Sequence, residues 1–238
     1  MDEIVKGVVL KTKDYKENDK LLSLFTYEKG KILIKVRGAK KVNSKLKSFC
    51  QLFCFADFEL TKGKGGDILT GAKSINSFLN LAVDYDKYLY ASFVTFIVDK
   101  ICQSGEKYPV LFVNYVKCLE LLNVLDISPK MIVCKFMLEL IKIEGFEFNF
   151  DICTCGKNLK EKIFLNFDSG ELVCQECKGI NFVEINNGVL SSIKLLSGNA
   201  YEKLGTIKLP RSLVEKVFFV LKKDIEHRFE INLSNFNF

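Results

Sequence analysis

The sequence predicts an α+β multidomain chain: an N-terminal β-barrel, then an all-helical domain that carries an inserted four-cysteine zinc ribbon. Three observations predict this arrangement. Short β-rich runs fill the first eighty residues, apolar residues then recur at helical spacing, and two close cysteine pairs interrupt the helical region. The expected boundaries are 1–79 for the barrel, 80–150 and 181–238 for the two parts of the helical domain, and 151–180 for the ribbon.

Five short strands are predicted in the first eighty residues. Their expected ranges are 4–10, 21–27, 31–37, 49–60 and 67–75. Each run is rich in β-branched or other apolar residues, and glycine-containing turn signals at 28–30 and 62–67 separate neighbouring runs. Five such strands with glycine-rich turns are typical of a small closed barrel such as the OB-fold.

From about residue 79 the apolar residues recur every three or four positions, which predicts amphipathic helices. Pro109 marks the expected start of a second helix, and Ser128 followed by Pro129 predicts an N-cap and first helical residue. Further helices are expected at 190–196 and 211–223. We interpret these apolar stripes as core.

The positive charge is concentrated in the first third of the chain. The net charge is +6, and residues 1–80 hold 16 Lys and Arg against 9 Asp and Glu. The stretch 29–56 contains no acid. Such a cluster suits a polyanion, because each neutralised phosphate releases counterions, although a solvated lysine-rich face stays possible. The expected phosphate-binding residues are Lys35, Arg37, Lys40, Lys41, Lys45 and Lys47.

Four of the nine cysteines form two close pairs with a predicted hairpin between them. They are the expected ligands of a structural Zn²⁺ ion, because zinc prefers four thiolates in a tetrahedron and no open position would be left for catalysis. The first pair has a single intervening residue, which is tighter than usual, so a weakened or metal-free hairpin is the alternative. The four residues are Cys153, Cys155, Cys174 and Cys177.

Motifs for catalysis and for membrane insertion are missing from the sequence. There is no phosphate-binding glycine loop and no evident nucleophile with a base, so we do not expect an enzyme. The N-terminus lacks a secretory signal, and no apolar stretch approaches the 20 or so residues of a membrane span. We therefore expect a soluble cytoplasmic protein without a membrane partner.

Several segments of the N-terminal region match one known family in order. They are 7–15, 17–20, 24–26, 28–31, 37–41 and 44–45, followed by Gln51 and Phe53 of a Leu-Gln-Pro-Phe element. Cys50 and Leu52 replace the Leu and Pro of that element. The set resembles the RecO family of DNA repair and recombination mediator proteins, whose first cysteine pair usually has two intervening residues.

The resemblance implies an OB-fold, a helical domain and a zinc ribbon within the helical part. It implies binding of single- and double-stranded DNA, annealing of complementary strands, and partnership with RecR. It also implies contact with the C-terminal tail of single-stranded DNA-binding protein, indirect help to RecA, and a place in the cytoplasm with the nucleoid. Two alternatives remain: an RNA- or ribosome-associated OB-fold protein with a structural zinc ribbon, and a zinc-dependent enzyme acting on nucleic acid.

Overall fold

The computed structural model describes residues 2–146, 148–159 and 162–236. The chain forms two compact units, Met1–Val124 and Leu125–Phe238. The finer domain boundaries given above stay a prediction. Among the helices in the described ranges, none has the length and apolar character needed to cross a membrane.

The first unit begins with a closed barrel of five strands. Its strand order is β1-β2-β3-β5-β4, with β1 pairing to β4 to close it. All neighbours are antiparallel except β3 and β5. The predicted barrel of the OB type is therefore confirmed. The strands are β1 (Glu3–Tyr15), β2 (Asp19–Thr26), β3 (Gly30–Val36), β4 (Phe55–Gly63) and β5 (Gly66–Asn76).

The fourth strand begins six residues later than the sequence predicts, at Phe55 instead of residue 49. A short 3-10 turn at Ser48–Cys50 precedes it, and Phe53 has a left-handed φ of 66°. The Phe53 N–H donates to the Val9 carbonyl at 3.1 Å, and the Val9 N–H donates to the Cys54 carbonyl at 3.0 Å. The apolar residues before Phe55 therefore close the barrel instead of extending its strand.

Three helices complete the first unit: α1 (Leu79–Val83), α2 (Tyr85–Ile101) and α3 (Pro109–Val124). The Asp84 carboxylate caps α2 by accepting from the Lys87 N–H at 3.0 Å. The Phe25 ring of β2 packs against Phe112 and Tyr115 of α3, with ring centroids 5.4 and 6.2 Å apart. The helices thus cover one side of the barrel and leave its other surface to solvent.

The second unit combines three helices with a small antiparallel sheet of order β7-β6-β8. Ser128 precedes helix α4 as predicted, but its side chain makes no capping bond; instead its carbonyl accepts from the Met131 N–H at 2.9 Å. The helix predicted at 190–196 begins three residues earlier and ends two residues later. The last helix begins at residue 211 as predicted and ends at 228 instead of 223. The strand at 182–185 was not predicted. The elements are α4 (Pro129–Ile143), β6 (Ile163–Asn166), β7 (Leu172–Cys174), β8 (Phe182–Ile185), α5 (Asn187–Gly198) and α6 (Arg211–Arg228).

Candidate nucleic-acid interface and metal centre

Two connections of the barrel meet at one end, which we call the loop end: the β1–β2 turn and the beginning of the β3–β4 segment. The Gly38 N–H donates to Asp19 Oδ1 at 2.9 Å, and the Lys40 N–H donates to the Asn18 carbonyl at 3.0 Å. The start of β5 pairs with the end of β3 through Lys35 and Ile68. Hydrogen bonding therefore fixes the basic β3–β4 segment beside the β1–β2 turn.

Four of the six predicted phosphate-binding residues lie exposed on this segment. Their side chains form no ion pair with any residue in the described parts of the chain. Because they are unpaired, their full charge is available to an incoming polyanion. These residues are Arg37, Lys41, Lys45 and Lys47.

The other two predicted residues already have partners within the protein. The Lys35 ammonium lies 5.0 Å from the centre of the Tyr15 ring. Lys40 Nζ lies 2.9 Å from Asp14 Oδ2, and Lys20 Nζ lies 3.2 Å from Asp14 Oδ1. Hydrogen bonds from Lys40 and Lys20 hold the pKa of Asp14 below its ordinary value.

Other lysines of the barrel are neutralised by carboxylates. Asp99 of α2 is only 8% exposed, and it pairs with Lys11 at 2.5 Å and Lys31 at 3.8 Å. Lys29 pairs with Glu3 in the same unit. Together with Lys40, three of the eight cations in the acid-free stretch are therefore paired with carboxylates outside that stretch. Sequence reasoning did not foresee these pairs, because the partners are distant along the chain.

The outer face of the β1–β3 sheet continues the loop end. Lys13, Leu21, Lys35 and Ile68 stand opposite one another in register on successive strands, so their side chains share one face. Leu33 on the outer surface of β3 is 63% exposed. A surface that combines cations with small apolar areas can bind both the phosphates and the bases of a strand.

Two aromatic residues of the first two strands, Phe25 and Tyr15, differ in their accessibility to a base. Phe25 is 0% exposed beneath α3 and is therefore excluded from a stacking surface. Tyr15 is partly exposed at the end of β1, beside the Lys16 and Lys35 ammonium groups. Only Tyr15 of these two residues is accessible to a base.

The four paired cysteines converge in the second unit. All four Sγ atoms lie within 4.8 Å of one another, and the Sγ atoms of Cys155 and Cys174 are 3.8 Å apart. With Zn–S bonds of about 2.3 Å, a tetrahedral site has S–S edges of about 3.8 Å. The cluster therefore has the dimensions needed to hold a metal ion, with every tetrahedral position available to a protein sulfur.

A reversed turn accommodates the tight spacing of the first cysteine pair. The Gly156 N–H donates to the Cys153 carbonyl at 2.8 Å, and the Cys153 N–H donates to the Lys157 carbonyl at 2.8 Å. Gly156 has a φ of 82°, a conformation that side-chain-bearing residues rarely adopt. The glycine after Cys155 therefore lets a single-residue spacing present both sulfurs to one point.

The electrostatics of the thiols also fit a cation. Desolvation opposes ionisation of Cys153, but hydrogen bonds from the Cys155 and Cys174 backbones, the latter at 3.3 Å, lower the pKa of its thiol to about 6. Hydrogen bonding with the other three thiols raises the pKa of Cys177 to about 12. Such close sulfurs cannot all ionise without a positive charge among them, and a divalent metal supplies that charge.

Arg228 of α6 is held by a buried ion pair within the helix and also donates a hydrogen bond to the ribbon. Arg228 Nε lies 2.7 Å from Asp224 Oδ2, and the two side chains are 6% and 0% exposed. Arg228 Nη2 also donates to the Gly170 carbonyl, in the β6–β7 turn, at 3.0 Å. The ring of His227, in the last turn of α6, stacks on Phe167 with centroids 5.2 Å apart. Sequence reasoning missed the Arg228 contact because the helix was predicted to end at residue 223.

These features define an OB-fold protein with a cationic loop end and, in its second unit, a ribbon whose four cysteines are close enough to hold a metal ion. The family profile described as Recombination protein O N terminal matches residues 1–78, and that described as Recombination protein O C terminal matches residues 82–235. The chain therefore belongs to the RecO family of DNA repair proteins.

Three clostridial relatives illustrate the similarity, each named DNA repair protein RecO. The protein of Clostridium perfringens (strain 13 / Type A) is 34% identical over 217 residues, which cover 90% of this chain and 87% of the relative. The protein of Clostridium novyi (strain NT) is 30% identical, with coverage of 91% and 85%. The protein of Clostridium acetobutylicum is 29% identical over 225 residues, with coverage of 94% and 91%.

Proposed function

We propose that this protein is a non-enzymatic recombination mediator that binds single- and double-stranded DNA at the loop end of the barrel. The observation that carries the proposal is the group of four exposed cations on the β3–β4 segment, which form no ion pair with any described residue. Lys35 and Lys40 join them when phosphates displace their present partners. This set contacts the backbone and carries little base-edge information, so binding is sequence-tolerant and strongly salt-dependent.

Annealing follows from the same electrostatics. Two complementary strands repel each other through their phosphates, and cations that neutralise both backbones lower that repulsion. The exposed apolar surface of β1–β3 can contact unstacked bases without fixing their identity. The protein thus brings strands together by binding alone, and no covalent bond of the DNA is made or broken.

We propose that the ribbon holds a structural Zn²⁺ ion through Cys153, Cys155, Cys174 and Cys177. The ion would crosslink the two ends of the β6–β7 hairpin, whose small apolar cluster around Phe164 and Val173 is too limited to hold it firmly. Four sulfur ligands leave no position for a substrate, so a metal-dependent enzyme acting on nucleic acid is the less favoured reading.

The proposed partners follow from family membership. They are RecR, the C-terminal tail of single-stranded DNA-binding protein and, indirectly, RecA, whose loading onto coated DNA this protein would assist. We expect this work to take place in the cytoplasm, with the nucleoid.

A strand-annealing assay on DNA coated with single-stranded DNA-binding protein tests this function. We expect the wild type to accelerate annealing, and the triple variant Arg37→Ala, Lys40→Ala, Lys41→Ala to lose most of that acceleration. Its DNA affinity should fall and the slope of log affinity against log salt should flatten. The matched control removes three exposed lysines of the second unit: Lys203, Lys208 and Lys216.

Two outcomes would contradict the proposal. An unchanged salt slope in the triple variant would remove the loop end as the binding surface. A clear preference for RNA over single-stranded DNA of the same sequence would instead favour an RNA- or ribosome-associated role.

A further inference from the structure

The tip of the basic β3–β4 segment carries an apolar side chain that is almost fully exposed to solvent. Val42 is 93% exposed, and it lies between Lys41 and Lys45 in the sequence. An exposed apolar residue is common on protein surfaces. The unusual feature is its position at the centre of the cations that the proposed function assigns to phosphates.

The segment holds this tip in place from both sides. Ala39 is 0% exposed before it, and Leu46 and Phe49 pack against the barrel core after it. Successive turns connect these anchors: the Lys41 N–H donates to the Gly38 carbonyl at 3.1 Å, and the Ser44 N–H donates to the Lys41 carbonyl at 3.1 Å. Val42 is therefore presented by a hydrogen-bonded structure, which lowers the entropic cost of using it in a contact.

The chemistry of a DNA strand suggests what this side chain meets. Phosphates attract the lysines around the tip, and the hydrophilic backbone offers little to an isopropyl group. The apolar surface of a strand lies on its bases and sugars, and apolar side chains contact bases in other DNA-binding proteins. A single valine is too small an apolar area to hold a protein on a membrane, for which a larger apolar face is needed.

We propose that Val42 makes a sequence-tolerant apolar contact with unstacked nucleobases of the strand that the neighbouring cations hold. This inference rests on the proposed DNA binding at the loop end. The contact adds affinity that does not depend on salt, because no counterion is released when apolar surfaces meet. The contact also makes the protein bind a strand with unpaired bases more tightly than an abasic sugar-phosphate chain.

The test compares Val42→Ser with the wild type on two probes, an oligothymidine and an abasic oligonucleotide of the same length. We expect the variant to bind oligothymidine about three- to tenfold more weakly at every salt concentration, with an unchanged salt slope. Binding to the abasic probe should not change. The control is Ile180→Ser, which removes an equally exposed β-branched residue of the second unit, and it should bind both probes like the wild type.

Each alternative outcome has a definite meaning. Equal affinity of the variant and wild type for oligothymidine, or an equal loss on the abasic probe, overturns the base contact while leaving DNA binding in place. Failure of the wild type to bind either probe overturns the proposed function itself. Binding to phosphatidylglycerol vesicles that Val42→Ser abolishes, with DNA binding intact, assigns the tip to a lipid surface instead.

Discussion

The cysteine ribbon and the loop end of the barrel build their sites in opposite ways. The ribbon places four sulfurs within 4.8 Å of one another, so each ligand depends on the other three. The loop end spreads separate cations over an exposed segment, and in the proposed function each would contact a different phosphate. A metal site should therefore fail as a whole when one ligand is lost, whereas a polyanion surface should lose affinity in increments.

The largest expected effect is the loss of metal from the variant Cys174→Ser. Removing one of the four ligands should reduce bound zinc from about one ion per chain to almost none, because a mixed site with three thiolates binds far more weakly. Metal analysis after dialysis measures this directly. The control is Cys118→Ala, which removes a buried cysteine of α3 and should keep its metal; a Cys174→Ser protein with full metal content would contradict the shared site.

The next largest effect concerns the attachment of the ribbon to α6. Arg228→Met leaves the Asp224 carboxylate buried without its cation, and we expect the free energy of unfolding to fall by about 3–5 kcal/mol. Urea unfolding measures the change. Arg211→Met removes a similar i, i+4 pair whose arginine is 93% exposed, and it should cost less than about 1 kcal/mol. Similar losses in the two variants would show that burial does not set the strength of the Arg228 pair.

Local spacing allowed the cysteine hairpin of the ribbon to be predicted, but it did not indicate the third strand, β8, which pairs with β6. Its ligands lie between residues 153 and 177, and a hairpin between two cysteine pairs brings them together without any distant element. Even the tight first pair is explained by its neighbour, since Gly156 supplies the left-handed turn. The anchoring of the ribbon by Arg228 was beyond prediction, because the Gly170 carbonyl is 58 residues away along the chain.

Prediction of the barrel was accurate for its strands and weaker for its surface. Alternation of apolar residues located five strands, but it extended β4 over residues 49–54, where apolar side chains close the barrel end. Charge counting located the basic region, but it could not show which cations of that region are paired within the fold. Asp99 pairs with Lys31 across 68 residues of sequence, so only the folded chain distinguishes Lys31 from Lys45.

The difference between a paired lysine and an exposed lysine predicts a smaller effect on the salt dependence of DNA binding. Lys45→Met should reduce the salt slope of DNA binding by about one unit, because one phosphate contact is lost. Lys31→Met should change the slope less, since Lys31 already pairs with the Asp99 carboxylate, which it shares with Lys11. Fluorescence titration of one oligonucleotide at several salt concentrations compares the two. Equal changes in slope would show that the neutralised lysines also contact DNA.

The smallest expected effect is a gain of affinity when Asp14 is neutralised. Because Lys40 and Lys20 lower the pKa of Asp14, its carboxylate stays ionised until the pH falls below the ordinary range of about 4. At neutral pH it therefore holds Lys40 and repels phosphates. Asp14→Asn should strengthen DNA binding by about two- to threefold at low salt, and the gain should disappear at high salt.

A control variant with the same change of net charge shows whether the gain in affinity comes from the position of Asp14 or from the net charge of the protein. Glu215→Gln removes one exposed carboxylate of the second unit, which pairs with Arg211, and it should alter DNA affinity less than Asp14→Asn does. If Asp14→Asn weakens binding instead, then Asp14 orients Lys40 toward the strand. In that case the paired cations of the loop end belong to the binding surface as fully as the unpaired ones, and ion pairing within the barrel serves to position charge as well as to remove it.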